Sequence, residues 1–454
     1  MRLPTFLRCR DRLLSAVLAA GLLGLPAALH ADDLTAPIDE ALKAAAERKA
    51  PVLIDFYAPW CYSCYFMAKN VKNGPEWDTL EKKAVVVELD ADSPAGAYWM
   101  QQWTVKGLPS YVVLGADGKE IGRISLERTR AQFYPEIDAI LARASGFDAL
   151  KAVVTDGSAK SIGAARGVLQ AFGARRDADG GLAWAKAQSP AVSDAIAKDP
   201  TASLWLSRLE LIRANNAKDA EACAAVAPKV LSGPGSDTLG CDRAYELDRA
   251  LSCTASLPAE RRKTVFASQQ APMEALIAKR VLIKTPSCAD ARSVVSTTFD
   301  LATALGDTKA ATSALDRVIA DAEKRLGGPG KLDLKRDRNL ADNLRVYLAL
   351  AKRYDQLDAL FPKLIAAWPD DYVYAYRFGR SLYERGQYEA ALPWLEQSAP
   401  KAYGVNRLTV AEYRAMVLLK LNRAGDARQV VAEALKANGP FFPEQVAKLK
   451  ALVA

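Results

Sequence analysis

The chain has 454 residues, 50% hydrophobic and 25% charged, a makeup that suits a packed globular protein of roughly two to four domains. Its formal net charge of +8 is spread without a concentrated basic patch, which argues against nucleic acid as a partner. The only histidine, His30, falls in a segment that reads as removable, so the mature chain would lack a histidine triad, histidine general base or histidine metal site.

Arg2, Arg8, Arg10 and Arg12 precede the apolar run Leu13 to Leu25, and Pro26 to Ala31 resembles a small-residue cleavage site. This predicts a signal peptide over residues 1–31 and a periplasmic or otherwise exported protein, soluble after cleavage. The apolar run is too short to span a bilayer comfortably. Leu29, large for its place before the cut, keeps an uncleaved anchor as the alternative. Cleavage would remove four arginines and one aspartate, lowering the net charge from +8 to +5, and would take Cys9 with it.

Ile38 to Glu47 reads as a helix by composition and spacing. The β-leaning run Val52-Leu53-Ile54, continued by Phe56 and Tyr57, passes through Ala58-Pro59-Trp60 into Cys61-Tyr62-Ser63-Cys64, and a helical segment follows as far as Asn73-Gly74-Pro75. That order puts Cys61 at a helix N-terminus, where unpaired N–H groups and the helix dipole favour a thiolate. Asp55, inside an apolar strand, would be costly without a task such as exchanging a proton with Cys64. Trp60 would cover one side of the sulfurs. Trp77 to Lys83 is a short helix and Ala84 to Leu89 a strand. Gly107-Leu108-Pro109-Ser110 opens a further strand, Tyr111 to Leu114, before the turn Ala116 to Lys119. A cis bond at Leu108-Pro109 would leave the Leu108 backbone free to pair with an extended peptide. A last helix, Ala131 to Ala144, precedes a boundary at Ala144-Ser145-Gly146.

The Trp-Cys-x-x-Cys motif, the acidic residue in the preceding strand and the proline-led strand downstream resemble the thioredoxin superfamily. Within it, DFYAPWCYSC, AVVVELDAD and VKGLPSYVVLGADGKEIGR look most like the C-terminal thioredoxin-like domain of the periplasmic DsbD reductase family, over residues 36–145. The resemblance implies Cys61 and Cys64 as the catalytic pair, Asp55 as the proton-exchanging group, and Trp60, Leu108 and Pro109 as the surface that meets the substrate. Two departures stand out. Tyr65 follows the second cysteine where a lysine is common, and Glu88 falls where many thioredoxins carry a lysine facing the buried aspartate. Either Glu88 points at Asp55 and one carboxyl keeps its proton to higher pH, or it faces solvent at the strand end.

After residue 145 the strand signals vanish and alanine-rich amphipathic segments continue to the C-terminus, an all-α region. Cys223, Cys241, Cys253 and Cys288 are an even set that an oxidising compartment would join in two structural disulfides. Three connectivities exist, and neighbour pairing, Cys223 with Cys241 and Cys253 with Cys288, is the favoured one. Gly327 to Gly330 reads as a loop. Beyond it, Leu344-Leu348-Tyr354-Leu357-Phe361 recurs about 34 residues later around Phe378-Gly386-Tyr388-Ala391-Leu395, and about 36 later again around Ala415-Leu418-Asn422-Ala427-Val431. The period and the Gly-x-Tyr turn look like tetratricopeptide repeats. The aromatic residues there, Trp368, Tyr372, Tyr374, Tyr376, Tyr383, Trp394, Tyr403 and Tyr413, could line a peptide groove, but packing between hairpins is the reading we favour.

The expected architecture is therefore a signal peptide over 1–31, an α/β thioredoxin-like domain over 32–145, a disulfide-bonded helical domain over 146–326 and a tetratricopeptide-like repeat region over 331–454. The expected activity is thiol-disulfide exchange, favoured in the reducing direction because Tyr62-Ser63 offers no histidine to stabilise a thiolate. It would need no dissociable cofactor and no metal. A protein disulfide would be the substrate, a separate membrane protein the electron donor, and the repeats would contact protein clients. The alternative is an envelope protein-binding scaffold whose thioredoxin-like domain is a docking module.

Overall fold

The computed structural model describes residues 31–142 and 146–454. The expected signal peptide lies outside the described residues but for Ala31, as do residues 143–145 at the expected boundary. No helix among the described residues is long and apolar enough to cross a membrane.

The N-terminal domain runs α1 (Ala31–Arg48), β1 (Val52–Tyr57), α2 (Tyr62–Asn70), α3 (Gly74–Lys83), β2 (Val85–Asp90), α4 (Pro94–Gln102), β3 (Ser110–Leu114), β4 (Glu120–Ser125) and α5 (Arg130–Leu141). The four strands form one sheet in the order β2-β1-β3-β4, with β1 parallel to β2 and antiparallel to β3, and β3 antiparallel to β4. β1 is central and covered on both faces, which is why its sequence is nearly continuous apolar rather than alternating. Side chains still alternate between the two faces. Val52, Ile54 and Phe56 join Ile38, Ala45 and Leu114 in the core beneath α1, while Leu53 joins Met67, Trp77, Tyr111 and Phe133 in the core beneath α2, α3 and α5. Asp55 shares the parity of Leu53, so the strand period carries it to the α2 face.

Everything described from Phe147 onward is helical or turn. One apolar core links Val154 to Ile212, and a longer one runs from Leu204 to Leu449, past the Gly327–Gly330 turn without a break. The helix Pro200–Asn216 gives side chains to both. Toward the C-terminus, helices pack as successive neighbours: Arg338–Leu350 with Tyr354–Ala367, Val373–Glu384 with Tyr388–Ser398, and Gly404–Lys420 with Ala424–Asn438. The turn inside each pair contains a left-handed residue at the corresponding place, Lys352, Gly386 and Asn422. The aromatic residues of this region mostly pack: Trp368 lies against Tyr374 at 5.3 Å, Phe378 against Trp394 at 4.9 Å and Tyr376 against Tyr413 at 5.5 Å. Tyr403, whose ring meets that of Tyr372 at 6.4 Å, also donates its hydroxyl to Asp90 of the N-terminal domain.

The favoured neighbour pairing of the four helical-region cysteines is corrected: Cys223 is bonded to Cys253, and Cys241 to Cys288. Cys223 stands near the start of the helix Ala220–Ser232, and Cys253 ends the next long helix, Arg243–Cys253. Two helices doubling back on each other bring the start of the first to the end of the second. Cys241 sits in the connecting turn at the opposite end, and there it meets Cys288, ahead of the helix Ala291–Ala304.

Candidate active site at the Cys61–Cys64 turn

β1 delivers the chain to the turn, and α2 leaves from it. Cys61 is the N-cap of α2, with extended backbone angles, and its Sγ accepts the Cys64 N–H at 3.0 Å. The sulfur thus fills the role that a serine or aspartate oxygen plays at other helix starts, which satisfies one of the orphan donors. The two cysteines are joined by a disulfide bond. They pack with Ala58 and Ala91, and Leu108, Tyr57 and Met100 lie against them. The Leu108–Pro109 bond is cis. The Pro109 carbonyl accepts from Leu126 N–H at 2.8 Å and the Gly107 carbonyl from the Ser110 hydroxyl at 2.7 Å, so this loop is tied at both ends.

Asp55 is buried in β1, and Lys72, just past the end of α2, bonds to it. The same Lys72 ammonium reaches Glu88 at 2.7 Å. Neither alternative for Glu88 describes this arrangement, since Glu88 is exposed yet linked to Asp55 through the lysine between them. Burial pushes the Asp55 carboxyl above its ordinary value; Lys72 works against that and Glu88 adds to it. Burial works against the Lys72 ammonium, but Asp55 and Glu88 together hold it above its usual value. The result is a carboxyl that can carry a proton beside a fixed cation.

Trp60 is 38% exposed, whereas Cys61 and Cys64 are only 3% and 9% exposed. The Trp60 indole N–H donates to Asp92 at 2.7 Å. Burial pushes Asp92 up to about 6, with the Asp90 charge adding to it and the Trp60 indole N–H working against it.

The residues that flank the sulfurs, Trp60, Tyr62 and Tyr65, meet groups from far along the chain. Tyr62, between the cysteines, donates its hydroxyl to Asp290 at 2.9 Å, accepts Asn339 Nδ2 on its carbonyl at 2.8 Å, and has the Arg292 guanidinium 3.5 Å over its ring. Arg377 donates to the Trp60 carbonyl at 2.8 Å, and Arg338 sits 4.2 Å over the ring of Tyr65. Val405 N–H donates to the Asp92 carbonyl at 3.2 Å. Gly404, with φ of +52°, makes that approach possible, because a Cβ there would lie 1.8 Å from the Asp92 oxygen. On the other flank Glu127, just after β4, meets the hydroxyl of Tyr245, which is also 2.8 Å from Asp290. The single Tyr245 hydroxyl thus lies between two carboxyl groups. Burial, then the nearby Asp290 charge, pushes Glu127 up to about 7.

The structure therefore brings Cys61, Cys64, Trp60 and Leu108 together, sets Pro109 in the adjoining loop and places Asp55 on the α2 face of the strand that feeds the turn. Lys72, Glu127, Tyr245, Asp290, Arg292, Asn339 and Arg377 were not found from sequence. Lys72 could have been found, as the first lysine beyond the helix that the cysteines open. The others carry no local signal, because they lie on segments whose position depends on packing. No cluster of three or more metal-ligating side chains occurs among the described residues.

Residues 33–116 match the family described as thioredoxin-like. The thiol:disulfide interchange protein DsbD of Cronobacter sakazakii is 34% identical over 95 residues, which are 20% of this chain and 17% of that protein. DsbD 2 of Pseudomonas aeruginosa is 34% identical over 87 residues, 19% of this chain and 15% of that protein. The chain thus spans less than a fifth of the length of these two relatives. The solution structure of a thioredoxin from Thermus thermophilus aligns at 31% identity with a TM-score of 0.22, covering 23% of this chain and 85% of that one.

Proposed function

We propose that this chain, whose N-terminal domain is thioredoxin-like, is an exported thiol-disulfide oxidoreductase that reduces disulfides in protein clients. The observation that carries the reading is the Cys61 sulfur capping α2 in the same apolar cluster as Leu108, with the buried Asp55–Lys72 pair under the same helix. A sulfur in that place is favoured as the thiolate that thiol-disulfide exchange requires. In the reducing direction the Cys61 thiolate attacks one sulfur of a client disulfide lying along Leu108 and Pro109, and the client's other sulfur leaves as a thiolate. Cys64 gives its proton toward Asp55 and attacks Cys61 in turn. The reduced client is released and the Cys61–Cys64 disulfide is left. Two electrons from a separate membrane dithiol donor, itself oxidised to a disulfide, return the pair to its starting state. No dissociable cofactor takes part.

The helical region, divided as residues 146–326 with its two disulfides and 331–454 with tetratricopeptide-like hairpins, would position the client. The repeated left-handed turn at Lys352, Gly386 and Asn422 supports the reading of residues 331–454 as successive hairpins. An insulin-reduction assay on wild type and Cys61→Ser tests the activity: reduction present in the first and absent from the second supports the enzyme, and equal rates sink it. Cys64→Ala, which stalls the mixed disulfide, would identify the client.

The near-complete burial of both sulfurs favours a second reading, a scaffold in which the thioredoxin-like domain is a docking module. Wild-type inactivity together with capture of a client by the Cys61→Ser protein would select it.

A further inference from the structure

Three arginines of the helical region converge on one carboxylate beside the Cys61–Cys64 turn. Asp342 is fully buried and accepts from Arg292 Nη2 at 2.5 Å, Arg377 Nη1 at 2.6 Å and Arg345 Nε at 2.9 Å. One negative charge faces three positive ones, and two of the arginines spend their remaining valence on the turn. Arg377 Nη2 bonds the Trp60 carbonyl at 2.8 Å, and Arg292 lies over the Tyr62 ring at 3.5 Å. Only the Trp60–Cys61 peptide unit and the cysteine side chain separate that carbonyl oxygen from the Cys61 sulfur, so standard bond lengths hold guanidinium and sulfur within about 9 Å.

The other charged groups around the turn are held in contacts of their own. Lys69 pairs with Asp337 and Arg338 with Asp371. Asp55 and Glu88 share Lys72. Asp90 takes the Tyr403 hydroxyl, and Asp290 those of Tyr62, Tyr245 and Ser293. Burial drives Asp92 and Glu127 toward their neutral forms.

We propose that Arg377, with Arg292 beside it, is a positioning residue of the redox site: its charge favours the Cys61 thiolate and raises the reduction potential of the Cys61–Cys64 pair. The claim rests on the redox reading above. Reduction of the disulfide consumes two electrons and, with Cys61 left as thiolate and Cys64 as thiol, one proton. With glutathione as the donor, two glutathione thiols supply the electrons and become joined in a disulfide; one of their protons goes to Cys64 and the other to solvent. A fixed cation stabilises the anionic product and has no comparable hold on the neutral disulfide.

The test is carried out on the full chain. The fully reduced Cys61–Cys64 pair is titrated by thiolate absorbance at 240 nm, and its equilibrium with glutathione is measured. Replacing Arg377→Met should move the thiolate midpoint up by about one pH unit and shift the glutathione equilibrium about tenfold toward the disulfide, about 30 mV more reducing. Arg377→Lys should keep most of the wild-type midpoint. Asp342→Asn, which leaves the three arginines facing a neutral amide, should move it the opposite way. A merely structural role would shift both neutralising variants in one direction, and the sign can be read from Asp342→Asn alone should Arg377→Met not fold. Midpoints alike in wild type, Arg377→Met and Asp342→Asn would overturn the proposal. Insulin reduction by wild type, read separately, would show whether the redox reading itself survives.

Discussion

The disulfide of the N-terminal domain and the two of the helical region are the same bond in opposite settings. Cys61 and Cys64 are 3 residues apart, whereas Cys223–Cys253 spans 30 and Cys241–Cys288 spans 47. By chain-entropy reasoning a loop of the longer kind restrains the unfolded chain by about 4 kcal/mol and the shortest one by only about 2 kcal/mol. The short bond also sits at a helix N-terminus that welcomes its reduced, anionic form, while the long ones pin one helix, turn or connecting segment to another. The pair proposed for exchange thus differs from the other two in loop length and in what the freed thiolate would meet.

The largest effect expected from breaking that contrast is on stability. Replacing Cys241 and Cys288 together by serine should lower unfolding free energy by about 4 kcal/mol in urea titrations, and so should the Cys223 and Cys253 pair. Serine at both Cys61 and Cys64 should cost less than about 2 kcal/mol while removing insulin reduction. Equal losses from all three pairs would erase the distinction.

The seam between the two regions should respond to pH through Glu127, whose folded pKa of about 7 lies above its ordinary 4.5. A carboxyl raised on folding contributes stability that is whole below about 4.5 and is lost as pH climbs through about 7. The loss is on the order of 3 kcal/mol. Glu127→Gln, neutral throughout, should flatten that part of the profile and be the more stable protein at pH 8. Melting curves at pH 5 and pH 8 for both proteins decide it, and parallel profiles would rule Glu127 out.

Within the N-terminal domain, Lys72→Met removes the cation that holds Asp55 down. The acidic limb of the pH–rate profile should then move to higher pH, and an unmoved limb would separate Asp55 from proton transfer. The smallest effect belongs to Tyr62→Phe, which deletes one hydrogen bond to Asp290. It should cost about 1 kcal/mol, or somewhat more because Asp290 is buried, and should raise hydrogen exchange on α2 and the facing helix Arg338–Leu350.

Much of the N-terminal domain could be read from residues close together in sequence. The apolar run of β1, the turn at Pro59 and the break at Asn73-Gly74-Pro75 are local signals, and they put Cys61 at the head of α2. β4 was less legible: Glu120 to Ser125 alternates only weakly, with Ile121 and Ile124 as its apolar marks, and its pairing with β3 gives it its form. Lys72 escaped notice because helical spacing alone does not say which buried carboxyl a lysine will meet.

What the sequence alone determined is the run of elements from α1 to β2, the two cysteines and the strand aspartate, because secondary structure and helix-end chemistry depend on neighbours a few positions away. What only the tertiary structure decided is which cysteines pair between Cys223 and Cys288, how Asp55 and Glu88 come to share a lysine, and that Asp290, Arg292, Asn339 and Arg377 close over Tyr62 and Trp60. Those contacts join positions tens to hundreds of residues apart, and they exist because buried apolar faces fix how helices stack. No local pattern of residue types records that stacking.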